Sequence, residues 1–556
     1  MHKLLALLLA HVPSDFRILF RQFLLRVVDF DALSIQADVA GYLGQFAGVL
    51  MMFSLIHVPF ILSVFGMAPW YVEHYLIATM MLVAGLIAVI TWDAIFPDLR
   101  DVMVLSPLPI APHTILLAKV TSSSALMGLA ILALNFASSL MLSTFAGAMP
   151  GNHWGFLQAL AAYWFTMAAA SGFLYCSILT VQGFSALLLP RRIFLRLSAI
   201  LQLAAFGIFL GVYFLEPSIE TPAGLAAHHN QWLLACSPDF WFFALFNQLN
   251  GSLPSTLTWL AWRAWIGLGI VLSGSAASLI LCYLRTMKKI VEEPDLVPGS
   301  GRIHWTPRFG NALQTALTLF SARSLWRSRQ HRVAFAFFLA VVFAIALSWL
   351  RGELSGATRG SMPDGFILST FIMMSVAVFA LRSVFSLPIS LTANWVLRTT
   401  QLSPSEKYIA VTRTILLCFS VVPVWLVSAF LSLAFRPWHQ VTAHLAVLAL
   451  LGWILAEINL IGFYKVPFTC SYLPGKSNIQ FIFWGFVIFI ITVALPAAEF
   501  ELGSFNGPFR YVCMMVVLSG AAIWLWAFNR RRASAAILYF EELPTELITT
   551  LKLVSY

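Results

Sequence analysis

Charge is what this chain has least of. Only 10% of its 556 residues are Asp, Glu, Lys or Arg, while 60% are hydrophobic. Soluble domains carry about 25% charged residues, so a soluble globular class is excluded. Cysteine is scarce as well. Cys176, Cys236, Cys282, Cys418, Cys470 and Cys513 show no metal-ligand spacing, and only Cys236 falls in an expected outer loop. Neither a disulfide framework nor a zinc site is expected. Catalytic signatures are missing too. No H-E-x-x-H occurs, His228 and His229 lack a third ligand at helical spacing, and no Ser–His–Asp set can be assembled. The nearest approach to a phosphate-binding loop, CSYLPGKS over 470–477, has Cys470 where G-x-x-x-x-G-K-[ST] needs its first glycine. It also joins two apolar segments rather than a strand to a helix. With Lys465, Pro467 and Lys476 it reads as a turn or a contact surface. Alternating apolar and polar residues are absent, which excludes a barrel. No cleaved signal is expected, because Met1 to Ala10 lacks a basic stretch and a small-residue cleavage site.

Long apolar runs are what the chain does have. A crossing of a hydrocarbon core about 30 Å thick takes about 20 apolar residues. Twelve such spans are expected, near 41–64, 74–96, 115–146, 155–181, 194–215, 262–284, 333–350, 364–387, 414–435, 441–463, 479–496 and 509–529. They must be helices, since lipid satisfies no free backbone group. All Lys and Arg except Arg263, Arg351, Arg359, Arg436 and Arg510 then fall on one side, which the positive-inside rule makes cytoplasmic. Both termini come out inside. The net charge of +10 reports this topology and not nucleic-acid binding.

The spans fall into two sets of six. Glu292 to Arg302, with two prolines and two glycines, reads as a linker. The expected organisation is a first six-span unit over 1–290, a linker over 291–311, a second unit over 312–532 and an amphipathic tail over 533–556. The fold class is an all-α integral membrane protein with about twelve transmembrane helices in two parallel six-helix repeats. An interfacial elbow helix precedes each repeat. The first is expected over Pro13 to Asp29, with Phe16, Leu19, Phe20 and Phe23 on one face and Arg17 and Arg21 on another. The second is expected over Ala312 to Arg332, apolar early and basic late.

Each half carries a proline-punctuated loop between its second and third spans. Leu105 to Pro112 leads into His113 to Lys119, and Gln401 to Glu406 leads into Lys407 to Arg413. Aligning Pro112 with Pro404 pairs Ile110 with Leu402, Ala111 with Ser403, Leu117 with Ile409 and Ala118 with Ala410. Proline ends helices and stiffens what precedes it. A short helix with a stiff lead can transmit a push from a soluble partner, so Pro107, Pro109, Pro112, His113, Thr114, Leu402, Pro404, Ser405, Glu406 and Lys407 are candidate site residues. His113, Thr114, Ser405, Glu406 and Lys407 form the polar face.

Ionisable and amide residues inside spans are costly and often functional. Asp93, Asn135, Glu457 and Asn459 are the candidates. Asp93 has Arg100 nearby and Glu457 has Lys465 at the span exit. Both acids are off-centre, which disfavours proton coupling. Asn135 and Asn459 are able to join helices by hydrogen bonds. The outer loop from Glu216 to Trp262 is rich in aromatics and reads as an interfacial belt or as a short re-entrant cap. Its counterpart, Ala497 to Pro508, is shorter, so any cap is expected to be asymmetric. Pro59 and Pro423 interrupt spans.

An elbow helix, two spans, an inner loop and four more spans resemble the permease of type-2 ATP-binding-cassette (ABC) exporters. The wording of Asp98 to Asp101 followed by Leu105 to Pro112 is similar to the loop after span two in bacterial members. Ser386 to Ile389 with Ala393 to Trp395, and Pro467 to Ser477, resemble a fused double-length bacterial subgroup. The resemblance implies a transport subunit without its own ATPase site, in the bacterial inner membrane. Two copies of a cytosolic ABC ATP-binding subunit are the implied partners, besides membrane lipid and no nucleic acid. No cofactor is bound directly; ATP and magnesium are used by the partners. Coupling helices are implied near Pro112 to Lys119 and Pro404 to Arg413. A secondary carrier with two six-span halves, or a membrane scaffold or sensor partnered by an ATPase, are the alternatives.

Overall fold

A computed structural model describes residues 13–28, 39–65, 69–91, 95–96, 102–103, 105, 107–146, 155–215, 224–225, 227–292, 308, 310–328, 331, 335, 338, 340, 364–387, 405–432, 438–469, 495–505 and 507–538. Among the described residues there is no strand. Among the described residues, eight helices are long and apolar enough to cross a membrane. Every backbone group in such a segment is satisfied within the helix, which is what lipid requires. The chain is an all-helical, multi-pass membrane protein.

It divides into two compact units, Met1–Arg302 and Ile303–Tyr556. The division falls inside the segment 291–311. The first unit runs α1 (Ser14–Val28), α2 (Val39–Phe65), α3 (Pro69–Ile90), α4 (Pro112–Ala146), α5 (Phe156–Leu188), α6 (Arg191–Leu215), α7 (Gln231–Cys236), α8 (Pro238–Asn250) and α9 (Thr258–Glu292). Proline opens α3, α4 and α8, where its missing N–H costs nothing. Gly251, at φ +80°, closes α8 and donates its N–H to Asn247 O and Gln248 O. Helix α3 is the centre of the unit: 67% of its apolar stretch is buried, against 17% for α9.

The second unit runs α10 (Ala312–Arg327), α11 (Asp364–Val384), α12 (Ser405–Leu416), α13 (Val422–Ser432), α14 (Trp438–Leu460), α15 (Leu495–Phe505) and α16 (Pro508–Ala535). Helix α11 is central at 78% buried and α16 peripheral at 17%, the same ranking as in the first unit. A π-helical turn, Leu417–Val421, joins α12 to α13, with Val422 N–H bonding back to Leu417 O. Pro423 has no N–H and its ring excludes the carbonyl four residues back, so the ladder opens by one residue. Where this turn passes α14, Gly452 is needed. A Cβ there would stand 2.5 Å from Val421 Cγ1 and 3.1 Å from Met374 Sδ. Lipid gives helices no hydrophobic reason to associate, so close packing at such small residues holds them.

Several expectations are corrected. The elbow expected to Arg332 stops at Arg327, where Ser328 turns extended and its hydroxyl bonds His331. The aromatic loop is divided, with Trp232 exposed and the α8 phenylalanines turned inward. Phe240, Phe242, Phe243 and Phe246 on α8 are fully buried in the first unit. Phe240 stacks on His74 at 4.2 Å and Phe242 meets Phe173 at 5.5 Å. Helix α8, with 13 residues, and α15, with 11, occupy corresponding places, but the first loop also carries α7 and two 3-10 turns. The spans expected near 333–350 and 479–496 lie almost wholly outside the described residues.

Candidate functional site

The site is built at the end of each unit where the proline loop lies. In the first unit, Leu108 N–H bonds Leu105 O at 3.2 Å and Ile110 N–H bonds Leu108 O at 2.7 Å, which folds the loop tightly. Pro107, Pro109, Pro112 and His113 are exposed, and Thr114 is half-buried. Leu108, at 46% exposure, sits among them as an apolar tip. Behind the loop, Leu19 and Phe23 of α1 pack on Ile115 and Ala118 of α4, with Leu105 and Ile110 at the edge. Lys119 Nζ is buried, bonds Phe96 O at 3.1 Å and lies 5.2 Å from the centre of the Phe23 ring. One lysine therefore fastens the end of the second span, the start of the third and the surface helix.

In the second unit, Leu402 and Pro404 lie outside the described residues, as does Asp93 in the first. Ser405, Glu406 and Lys407 form the first turn of α12, with Lys407 exposed and Tyr408 and Ile409 buried. Ser405 Oγ donates to Ala536 O at 2.6 Å, just past α16. Helix α10 packs on α12, so in both units the surface helix lies on the helix that follows the proline loop. Neither stretch is a separate coupling helix. Residues 112–119 are the first turns of a 35-residue helix, and 405–413 continue through the π-turn into α13. Proline marks the start of the first helix, and nothing between Lys119 and Ala146 breaks it.

The intramembrane candidates separate into different sites. Glu457 is fully buried and its Oε1 lies 2.6 Å from Arg413 Nε. Asn529 of α16 donates to Glu457 Oε2 and to Glu457 O, both at 2.8 Å. Arg413, on the helix entered from the second proline loop, thus reaches across to α14, and Glu457 in turn ties α14 to α16. Lys465, noted at the span exit, is not the partner shown at this carboxylate. Asn135 accepts from Tyr163 OH at 2.7 Å and donates to Met80 Sδ, joining α4, α5 and α3. Asn459 does otherwise: its amide donates to Leu455 O in its own helix, and its backbone carbonyl takes the cross-helix bond from Arg382 Nε at 3.0 Å.

Two stretches far apart in sequence meet at the loop end of the second unit. Phe468 N–H bonds Phe385 O at 2.8 Å, and His331 bonds Leu387 O at 2.7 Å. Phe468 is buried at φ +66°, a conformation that costs a side-chain-bearing residue about 1–2 kcal/mol. Its ring is held edge-on by Phe320, His331 and Phe385. Arg382 stacks 4.0 Å over Phe463 beside them. Burial lowers the proton affinity of His331, while its bond to Leu387 opposes that.

Sequence reasoning missed the buried polar groups at the other end of each unit. Glu73 accepts from Asn247 at 2.8 Å, and His74 Nε2 meets Asp239 Oδ2 at 3.0 Å. His444 bonds Glu501 at 2.9 Å and Thr370 at 2.9 Å. Glu73 and His444 stand within a helical register of apolar neighbours, which is the signal that was available. Their partners come from the short helices α8 and α15, which the loop composition concealed. No family model, curated protein or solved structure matches the chain.

Proposed function

We propose that the chain is the membrane-spanning permease of an ATP-driven, ABC-type transporter, an exporter of the bacterial inner membrane with both termini cytoplasmic. Twelve spans in two parallel sets of six, each with an elbow helix, form its pathway. Separate cytosolic ATP-binding subunits, two copies, dock on the proline loops. The observation that carries this reading is the duplicated arrangement at the loops. In each unit a surface helix packs on the helix that follows the loop, and in the first unit the tip from Pro107 to His113 is left largely exposed. A tip braced from behind and free in front is what a pushing partner requires. Helices α4 and α12–α13 start at the loops and cross the membrane, so displacement at a tip is displacement of a span.

The test is purification of the tagged full chain from its native membrane. A co-purifying P-loop protein, and transport in vesicles that stops without ATP, support the reading. Recovery of the chain alone, with transport driven by an ion gradient, overturns it. That second outcome belongs to the rival reading, a proton-coupled carrier. It is favoured by the π-turn at 417–421, which interrupts a span, and by five buried ionisable residues, Glu73, His74, Asp239, His444 and Glu501.

A further inference from the structure

Helix α16 leaves one side uncovered and ends in three arginines. Its buried residues, Ala522, Leu525, Asn529 and Ala533 among them, recur every three to four positions and turn one face to the rest of the second unit. At about 100° per residue, the middle of the opposite face runs through Gly520, Trp524 and Arg531. All three are exposed. A Cβ built at Gly520 meets nothing within 4 Å. The helix is bare at that point, while the exposed side chains of Val516, Val517, Ile523 and Trp524 stand out around it. The result is a shallow apolar groove with glycine as its floor.

Arg531 closes the groove at its loop end. It lies 11 residues beyond Gly520, about 17 Å along the helix. Arg530 and Arg532 flank it, and both are exposed. Each folds back along the helix onto a ring one turn earlier. Arg532 Cζ is 4.5 Å from the centre of the Phe528 ring, and Arg530 Cζ is 5.4 Å from that of Trp526. Phe528 is itself stacked on Trp524 at 5.5 Å. Arginines that only marked the end of a span would extend into water. These two guanidinium groups are held instead at the level of the last aromatic rings, where lipid headgroups lie. Pro508 to Phe528 is 20 residues, about 30 Å along the helix, which equals the thickness of a hydrocarbon core. Helix α16 carries no Asp or Glu. Glu457, which meets α16 at Asn529, is taken by Arg413 as well.

We propose that this face of α16 is a binding site for one anionic phospholipid. An acyl chain lies in the groove over Gly520, and the phosphate sits at Arg531 between Arg530 and Arg532. Guanidinium groups bind phosphate through several N–H donors at once. A zwitterionic headgroup would bring an ammonium group into a cluster that has no carboxylate to receive it, so the net-negative class is preferred. The apolar groove on the membrane side of the cations fits a lipid and no soluble partner. This inference rests on the geometry of α16 and not on the transport reading, so either can fail alone.

The experiment is native mass spectrometry of the full chain in detergent, titrated with phosphatidylglycerol or with phosphatidylcholine of the same acyl chains. The expected result is a first phosphatidylglycerol held at least about tenfold more tightly than phosphatidylcholine. Arg531→Gln should weaken that first lipid about fivefold. Phe528→Leu keeps every charge but removes the ring under Arg532, and should weaken it about two- to fivefold. Arg510→Gln at the far end of the same helix, and Arg323→Gln on α10, should leave it unchanged. Equal affinity for the two lipids, a preference that Arg531→Gln leaves intact, or the same loss in Arg510→Gln as in Arg531→Gln overturns the proposal. Where Arg531→Gln does not insert, Phe528→Leu decides, since its charges are intact and an unchanged affinity there counts against the site.

Discussion

Arg413 Nε stands 2.6 Å from Glu457 Oε1, and both groups lie where water is scarce. Removing one partner of a buried ion pair strands the other. Glu457→Ala or Arg413→Ala is expected to cost about 3–5 kcal/mol, read as loss of stability in denaturant titrations of the micelle-bound chain. Replacing both with Met should recover most of that loss, because no charge is then left alone. A double variant as unstable as the sum of the singles contradicts the pairing.

Helix α14 passes the π-turn with only a hydrogen at Gly452. Gly452→Ala is expected to destabilise by about 1–3 kcal/mol through overpacking against Val421 and Met374. Gly520→Ala, with open space around its Cβ position, serves as the control and should be close to neutral. Equal effects at the two sites count against the close approach.

Tyr163 and Asn135 are both buried and share a 2.7 Å bond. Tyr163→Phe leaves the Asn135 carbonyl without this donor. The expected cost is about 0.5–1.5 kcal/mol, with the helical signal unchanged in circular dichroism. Tyr163→Phe made on top of Asn135→Leu should cost less, since the acceptor is then gone.

His331 donates from Nε2 to Leu387 O, so its Nδ1 accepts from Ser328 Oγ at 2.5 Å. Protonation of Nδ1 reverses the second bond and places a charge in a largely buried site. Because burial lowers the folded value below the ordinary one of about 6.5, the stabilisation is complete above that ordinary value. It is lost as pH falls through the lower, folded value. Acid should weaken the junction of α10 with the loop after α11, seen as faster proteolysis near residue 328. His331→Gln should flatten that pH response, and an unchanged response in this variant contradicts the assignment.

Much of the fold was legible because apolar runs of span length have few alternatives. The surface helix α1 was legible too: Leu19 and Phe23 fall on one face, and that face is buried. Separate coupling helices were expected where longer helices run on, because proline announces where a helix starts but says nothing about where it stops. Lys119 closes the stretch that follows the first proline loop, and only the packing of Phe23 and Phe96 shows it buried. The partner of Glu457 was not legible for a similar reason. Lys465 is near in sequence, whereas Arg413 becomes near only when α12 and α14 pack together. Aromatics between two spans read as a belt first and a cap second, since composition does not distinguish rings facing lipid from rings facing Phe173.

The central claim is that two braced loops face the same cytosolic partners. In a cysteine-free background, His113→Cys and Lys407→Cys can each be labelled in sealed vesicles of known orientation with a reagent that does not cross the membrane. The account predicts labelling of both from the cytoplasmic face, and protection of both when the ATP-binding subunits are added. Labelling of the two positions from opposite faces would contradict it outright.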